Sequence, residues 1–176
     1  KVNAFRKNEQ LPYKRISTMF EDDQGRMWIG TRNGVSVFDG DSLYTPSIFE
    51  EKGVTVVKAF VQIEDELWLN SSKGLIEYSI KNDDLEINNS QEGLSDNPPN
   101  CLVGDKSNNL WIGTDDGLVF YNTSTDTARL ITLSSRVSSN IVNFVSNEED
   151  ERIWIGTDHG LFSLAIDEFY ENGLTQ

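Results

Sequence analysis

Met27-Trp28-Ile29-Gly30-Thr31-Arg32-Asn33-Gly34-Val35 is the stretch that decides the fold. Its apolar residues alternate and are rich in aromatic and β-branched types, the pattern of a strand, and a glycine-bearing turn follows at once. The same words return as Leu110-Trp111-Ile112-Gly113-Thr114 and Ile153-Trp154-Ile155-Gly156-Thr157. Leu67-Trp68-Leu69-Asn70-Ser71 is a worn copy. The four tryptophans are spaced 40, 43 and 43, and six residues after each stands Gly34, Gly74, Gly117 or Gly160. A period of about 40 to 50 residues marks a propeller blade or a helical pair. No helical periodicity surrounds the tryptophans, so the blade is selected.

A second apolar run follows each glycine: Val35 to Phe38, Leu75 to Tyr78, Leu118 to Tyr121 and Leu161 to Leu164. Asn33-Gly34, Lys73-Gly74, Asp116-Gly117 and His159-Gly160 between the runs predict two-residue hairpins of the primed type, with positive φ at both positions. A strand precedes each tryptophan across a polar, mostly acidic turn such as Glu21-Asp22-Asp23-Gln24-Gly25. A weaker fourth strand ends each repeat, at Leu43 to Phe49, Leu85 to Asn89, Ala128 to Leu133 and Glu168 to Tyr170. The fold expected is therefore all-β, a β-propeller of four four-stranded antiparallel blades over 16–49, 56–89, 101–133 and 141–170. Residues 1–5 read as the outer strand of a preceding blade, and 171–176 as the opening of a following repeat, because Asn172-Gly173-Leu174-Thr175 echoes Glu92-Gly93-Leu94-Ser95. These ends suggest an arc of a larger, seven-bladed type of propeller; a closed ring of four blades stays open as the alternative.

Composition narrows the function. The 29 acidic residues against 15 basic ones give a net charge of −14, which argues against nucleic acid and against an anionic membrane surface. Hydrophobic residues at 37% and aromatic ones at 10% are enough for a packed core. One Cys101 and one His159 leave no disulfide framework and no paired-histidine metal site, so no cofactor or metal is expected. No apolar run is long enough to span a bilayer.

The sequence Gly93-Leu94-Ser95, an apolar strand, an acidic turn and then Trp-Ile-Gly-Thr-x-x-Gly resembles the two-component regulator propeller repeat. Repeats 1, 3 and 4 match well, and repeat 2 departs at Leu69-Asn70-Ser71. The resemblance implies a non-catalytic, periplasmic sensing segment of a hybrid sensor histidine kinase. It implies an oligosaccharide-like ligand, other blades of the parent chain as neighbours, and a homodimer in the full sensor. A protein-interaction platform is the alternative, and a glycan-active propeller enzyme a third.

Several features have competing readings. The tryptophans could stack sugars, but their register fits packing between blades, and Gly30, Gly113 and Gly156 fit close approach of sheets. The turn pairs vary while their frame is constant, so they and the loops leading into each first strand are candidate ligand contacts. On that rim stand Arg15, Arg32, Asn33, Lys73, Asn100, Asp115, Asp116, Asn140, Asp158 and His159. Asp22, Asp23, Glu148, Glu149 and Asp150 offer oxygens for calcium, yet their spacing repeats no ligand pattern, and a solvated, edge-protecting charge run is the expectation. Asp23 to Trp28 also resembles an Asp-box core, in repeat 1 alone. No nucleophile elbow is present; chance carboxylate pairs keep glycoside cleavage open.

Overall fold

Each repeat tryptophan lies in the second strand of an antiparallel sheet, a strand paired along both edges. The computed structural model describes residues 11, 13–88, 94, 99–131 and 140–173. The chain divides into two units, Lys1–Ile87 and Asn88–Gln176. Together they carry four β-propeller blades, built almost wholly of antiparallel strands.

The first unit holds two sheets. One is ordered β1 (Ile16–Glu21), β2 (Met27–Thr31), β3 (Gly34–Phe38), β4 (Leu43–Tyr44), with the short helix α1 (Ser47–Glu51) after it. The other is β5 (Ala59–Ile63), β6 (Glu66–Ser71), β7 (Gly74–Ser79), β8 (Asp84–Asn88), which runs to the unit boundary. Trp28 seals the space between them, with ring centroids 6.5 Å from Phe60 and 5.6 Å from Tyr78. The backbone joins in: Val57 N donates to Thr31 O at 3.0 Å and Val56 N to Arg32 O at 3.2 Å. A Cβ on Gly30 would stand 2.7 Å from Thr18 Cγ2 and 3.0 Å from Val57 Cγ1, so the close approach needs glycine.

The second unit repeats the plan with β9 (Cys101–Gly104), β10 (Asn109–Gly113), β11 (Leu118–Asn122) and β12 (Thr127–Ile131), then β13 (Val142–Glu148), β14 (Arg152–Thr157) and β15 (Gly160–Ala165). Val142 N donates to Thr114 O at 2.8 Å, the counterpart of the Val57 bond. Trp111 packs on Phe120 at 5.0 Å and Phe169 at 4.8 Å. The face of Trp154 is more open: Phe144 is 62% and Leu161 69% exposed. On β1, Met19 is 61% exposed.

Three expectations need correction. Glu168 to Tyr170 is not a fourth strand but part of helix α2 (Ile166–Gly173), which also takes up Glu171, Asn172 and Gly173. Ile166, Phe169 and Tyr170 stand at helical spacing, so one face can reach the Trp111 cluster, while Asp167 and Glu168 suit the first turn of a helix. Ser47 to Phe49 likewise leaves the expected strand: Pro46 has no N–H for a ladder and precedes α1, which buries Phe49 against Trp28 and Tyr78. The hairpins are tight, but the loop pair is Arg32-Asn33, flanked by the paired Thr31 and Gly34. In the four turns that follow the tryptophan strands only the glycine takes positive φ, +116° at Gly34 and +104° at Gly74. Residues 1–5, Asn89, Thr132, Leu133 and 174–176 lie outside the described residues.

Candidate functional site

A hydroxyl locks every hairpin turn. Thr31 Oγ1 donates to Gly34 O at 3.0 Å and accepts from Asn33 N at 3.1 Å. Ser71, Thr114 and Thr157 make the same pair of bonds with Gly74 and Lys73, Gly117 and Asp116, and Gly160 and His159. The worn repeat keeps a hydroxyl at Ser71 although it loses Ile-Gly-Thr, and that is the sequence signal for this role. The lock uses backbone and hydroxyl only, so the two turn side chains take no part in it: Arg32, Asn33, Lys73, Asp115, Asp116, Asp158 and His159 are all exposed.

A second clasp ties three of these turns to the first strand of the same blade, at its start or in the segment just ahead of it. Asn100 Nδ2 donates to Asp115 Oδ1 at 2.8 Å, and Asn143 Nδ2 to Asp158 Oδ1 at 2.5 Å. In the second blade Thr55 Oγ1 and Ser72 Oγ share a hydrogen bond of 2.6 Å. Antiparallel pairing puts the start of the first strand beside the end of the second, which makes the clasp possible. Asn143 is absent from the residues singled out by sequence, although it stands to Asp158 as Asn100 does to Asp115.

The ten candidate residues are distributed over both units. In the first, Arg15 is exposed ahead of β1, and Asn33 lines a cavity of about 250 Å³ with Thr45, Phe49, Glu50, Val54 and Thr55. In the second, Asn100 joins Asp115 to Val142 O, while Asn140 has a buried Oδ1 without a hydrogen-bond partner. Asn97, Pro98, Ser138 and Ser139 lie outside the described residues.

At the opposite end of the sheets, Asp22 departs from the expected solvated charge run, whereas Asp23, Glu148 and Glu149 are exposed as expected. Asp22 is 5% exposed; its Oδ1 accepts from the N–H groups of Gln24 and Arg26, its Oδ2 from Arg26 Nε at 2.7 Å and Trp28 Nε1 at 2.8 Å. Asp105, 9% exposed, accepts from Trp111 Nε1 at 2.9 Å, and Glu148 from Trp154 Nε1 at 2.7 Å. Burial opposes the charged form of Asp22, but these bonds and the Arg26 charge outweigh it and hold the carboxyl below its ordinary range. An acid six residues before three of the four tryptophans is the legible signal. Among the described residues no group of three or more His, Cys, Asp or Glu side chains is arranged to hold a metal. No described helix is long and apolar enough to cross a membrane.

Comparisons agree with this architecture. The family model "two component regulator propeller" matches residues 10–33 and 93–116, which take in the first two strands of repeats 1 and 3 with Trp28 and Trp111. The extracellular domain of a one component system of B. thetaiotaomicron, BT4673, is similar at 21% identity and TM-score 0.75, over 98% of this chain and 25% of that one. The extracellular domain of the hybrid two component system BT3049 of the same organism is similar at 19% identity and TM-score 0.65, over 88% and 21%. PorZ, a surface component of the type-IX secretion system of Porphyromonas gingivalis, is similar at 14% identity and TM-score 0.70, over 94% and 28%. The chain thus spans about a quarter of the solved chains it matches. A comparison with curated proteins finds no match.

Proposed function

We propose that this chain of two component regulator propeller repeats is a non-catalytic, extracytoplasmic sensing segment of a two-component signalling protein, placed in the periplasm. The observation that carries the reading is the division of labour in each hairpin: a hydroxyl and a glycine hold the turn, and the two variable side chains at its tip, which the lock does not use, are exposed. Loops on a rigid scaffold are where binding concentrates. Polar turns of Arg32-Asn33, Asp115-Asp116 and Asp158-His159 suit a ligand rich in hydroxyls, an oligosaccharide. Its binding would shift packing toward neighbouring blades or a second protomer, and that population change would reach the kinase.

Calorimetry of the intact extracellular region against an oligosaccharide panel tests this. Binding that is lost in Asn33→Ala or Asp115→Ala supports it; silence across the panel refutes it. A platform for another protein is the second reading, supported by the likeness to PorZ, a secretion-system component. Crosslinking from the turns to a captured protein, with no response to sugars, would favour that reading.

A further inference from the structure

The two units share a plan, and they differ at one place where the second is filled and the first is not. In the second unit Tyr170, on α2, returns to the acid and indole of blade 3. Its hydroxyl donates to Asp105 Oδ2 at 2.8 Å and accepts from Asn109 Nδ2 at 2.7 Å. The chain is aimed there by Ile166 N, which donates to Glu151 O at 3.0 Å.

Counted from the repeat tryptophans, the same positions in the first unit are Asp22, Arg26, Asp65 and Ile80. Ile80 N donates to Asp65 O at 3.3 Å, so the backbone leaves the blade in the same way. It then turns into β8 rather than into a helix, and no aromatic comes back. In place of the phenol there is a cavity of about 260 Å³ lined by Gln24, Arg26, Gln62, Asp65, Ile80 and Lys81.

Arg26 sets the chemistry of this cavity. Its Nε occupies Asp22 Oδ2, the counterpart of the oxygen that Tyr170 takes on Asp105, so a hydroxyl has no acceptor to meet there. Its Nη2 is buried and without a partner, and its guanidinium lies 5.8 Å from the Trp28 ring centroid, which restricts it. Lys81 adds a second, exposed cation. An orphan guanidinium N–H is matched best by a carboxylate, which forms a charge-assisted bond. The volume is just under the range of about 300–1,000 Å³ for drug-sized ligands and suits one ring.

We propose that this cavity binds the carboxylate of a single polar ring, a uronic-acid sugar residue. The carboxylate follows from Arg26 and Lys81; the sugar rests on the oligosaccharide reading above. The test is calorimetry of the 176-residue chain with glucuronate and glucose as probes. Glucuronate should bind saturably and glucose at least about tenfold more weakly, the scale of one charge-assisted hydrogen bond. Lys81→Glu, on an exposed side chain, should weaken glucuronate about tenfold with an unchanged melting temperature, and Arg26→Gln should abolish binding. Absent glucuronate binding, equal affinity for glucose, or an unaffected Lys81→Glu variant would overturn the site. Asn33→Ala and Asp115→Ala should leave glucuronate affinity intact. A silent oligosaccharide panel with glucuronate binding retained would remove the sensing role of the rim and leave the cavity standing. Panel binding that ignores Lys81→Glu and Arg26→Gln would do the reverse.

Discussion

Trp28 Nε1 and Asp22 Oδ2 lie 2.8 Å apart across the turn that joins the first two strands, and Trp111 and Asp105 repeat the relationship at 2.9 Å. One carboxylate thus holds the acidic turn closed and satisfies the indole that fills the wedge between sheets. Asp22→Ala would strand that indole, two backbone N–H groups and the Arg26 guanidinium. The expected loss is about 3 kcal/mol of unfolding free energy, with Asp22→Asn losing less, as read from urea denaturation.

Acid should expose the same residue. Asp22 titrates below its ordinary 3.8 in the folded chain, so the unfolded chain binds its proton more readily. The stabilisation is present above that ordinary value and disappears as pH falls through the lowered folded value. Unfolding free energies across about pH 2 to 6 should therefore fall less steeply in Asp22→Asn than in the parent.

Tyr170 works at the alkaline end. Burial, then its bond to Asp105 and that charge, push the phenol well above its ordinary 10.0. Its contribution is intact below that value and is lost as pH rises through the folded one. Tyr170→Phe should cost about 1–2 kcal/mol at neutral pH and flatten the alkaline limb. An unchanged limb would contradict the bond from Tyr170 to Asp105.

Glycine substitution separates a closed interface from an open one. A Cβ on Gly113 would come within 2.5 Å of both Cys101 Sγ and Val142 Cγ1, whereas on Gly156 the nearest atom is Phe144 Cβ at 3.4 Å. Gly113→Ala should cost about 2–3 kcal/mol and Gly156→Ala less than about 1 kcal/mol in thermal or urea melts. Equal costs would contradict the packing described for the two blades.

The tryptophans follow the same division. Trp111→Ala removes a fully buried ring and should cost roughly 3–5 kcal/mol, while Trp154→Ala, on the side of exposed Phe144 and Leu161, should cost clearly less. Chemical denaturation of the two variants decides it.

The blades are legible because a strand-period pattern around Trp28, Trp111 and Trp154 recurs in register, and no local alternative competes with that. The turn reads one residue late because Asn-Gly serves two hairpin families, and the distinction lies in φ, which Thr31 and Gly34 settle through a side-chain bond. The role of Asp22 is hidden among neighbouring acids; only its constant distance from Trp28 sets it apart from Asp23. Helix α2 escapes a local reading because Phe169 is drawn to Trp111, a partner far away in sequence. Of the candidate contacts, exposure of the turn pairs can be read from their variation. The bond from Asn100 to Asp115 needs the sheet register.

The hydroxyl lock of the hairpins has an evolutionary consequence. Since Thr31 holds its turn through Gly34 O and Asn33 N, the side chains of residues 32 and 33 take no part in that lock. Substitutions there are close to neutral for folding, so such chains can drift in specificity while selection on the framework stays strict. The same lock in all four turns lets one ancestral repeat be copied first and diversified afterwards, with less latitude where Ser72, Asp115 and Asp158 are clasped to the first strand.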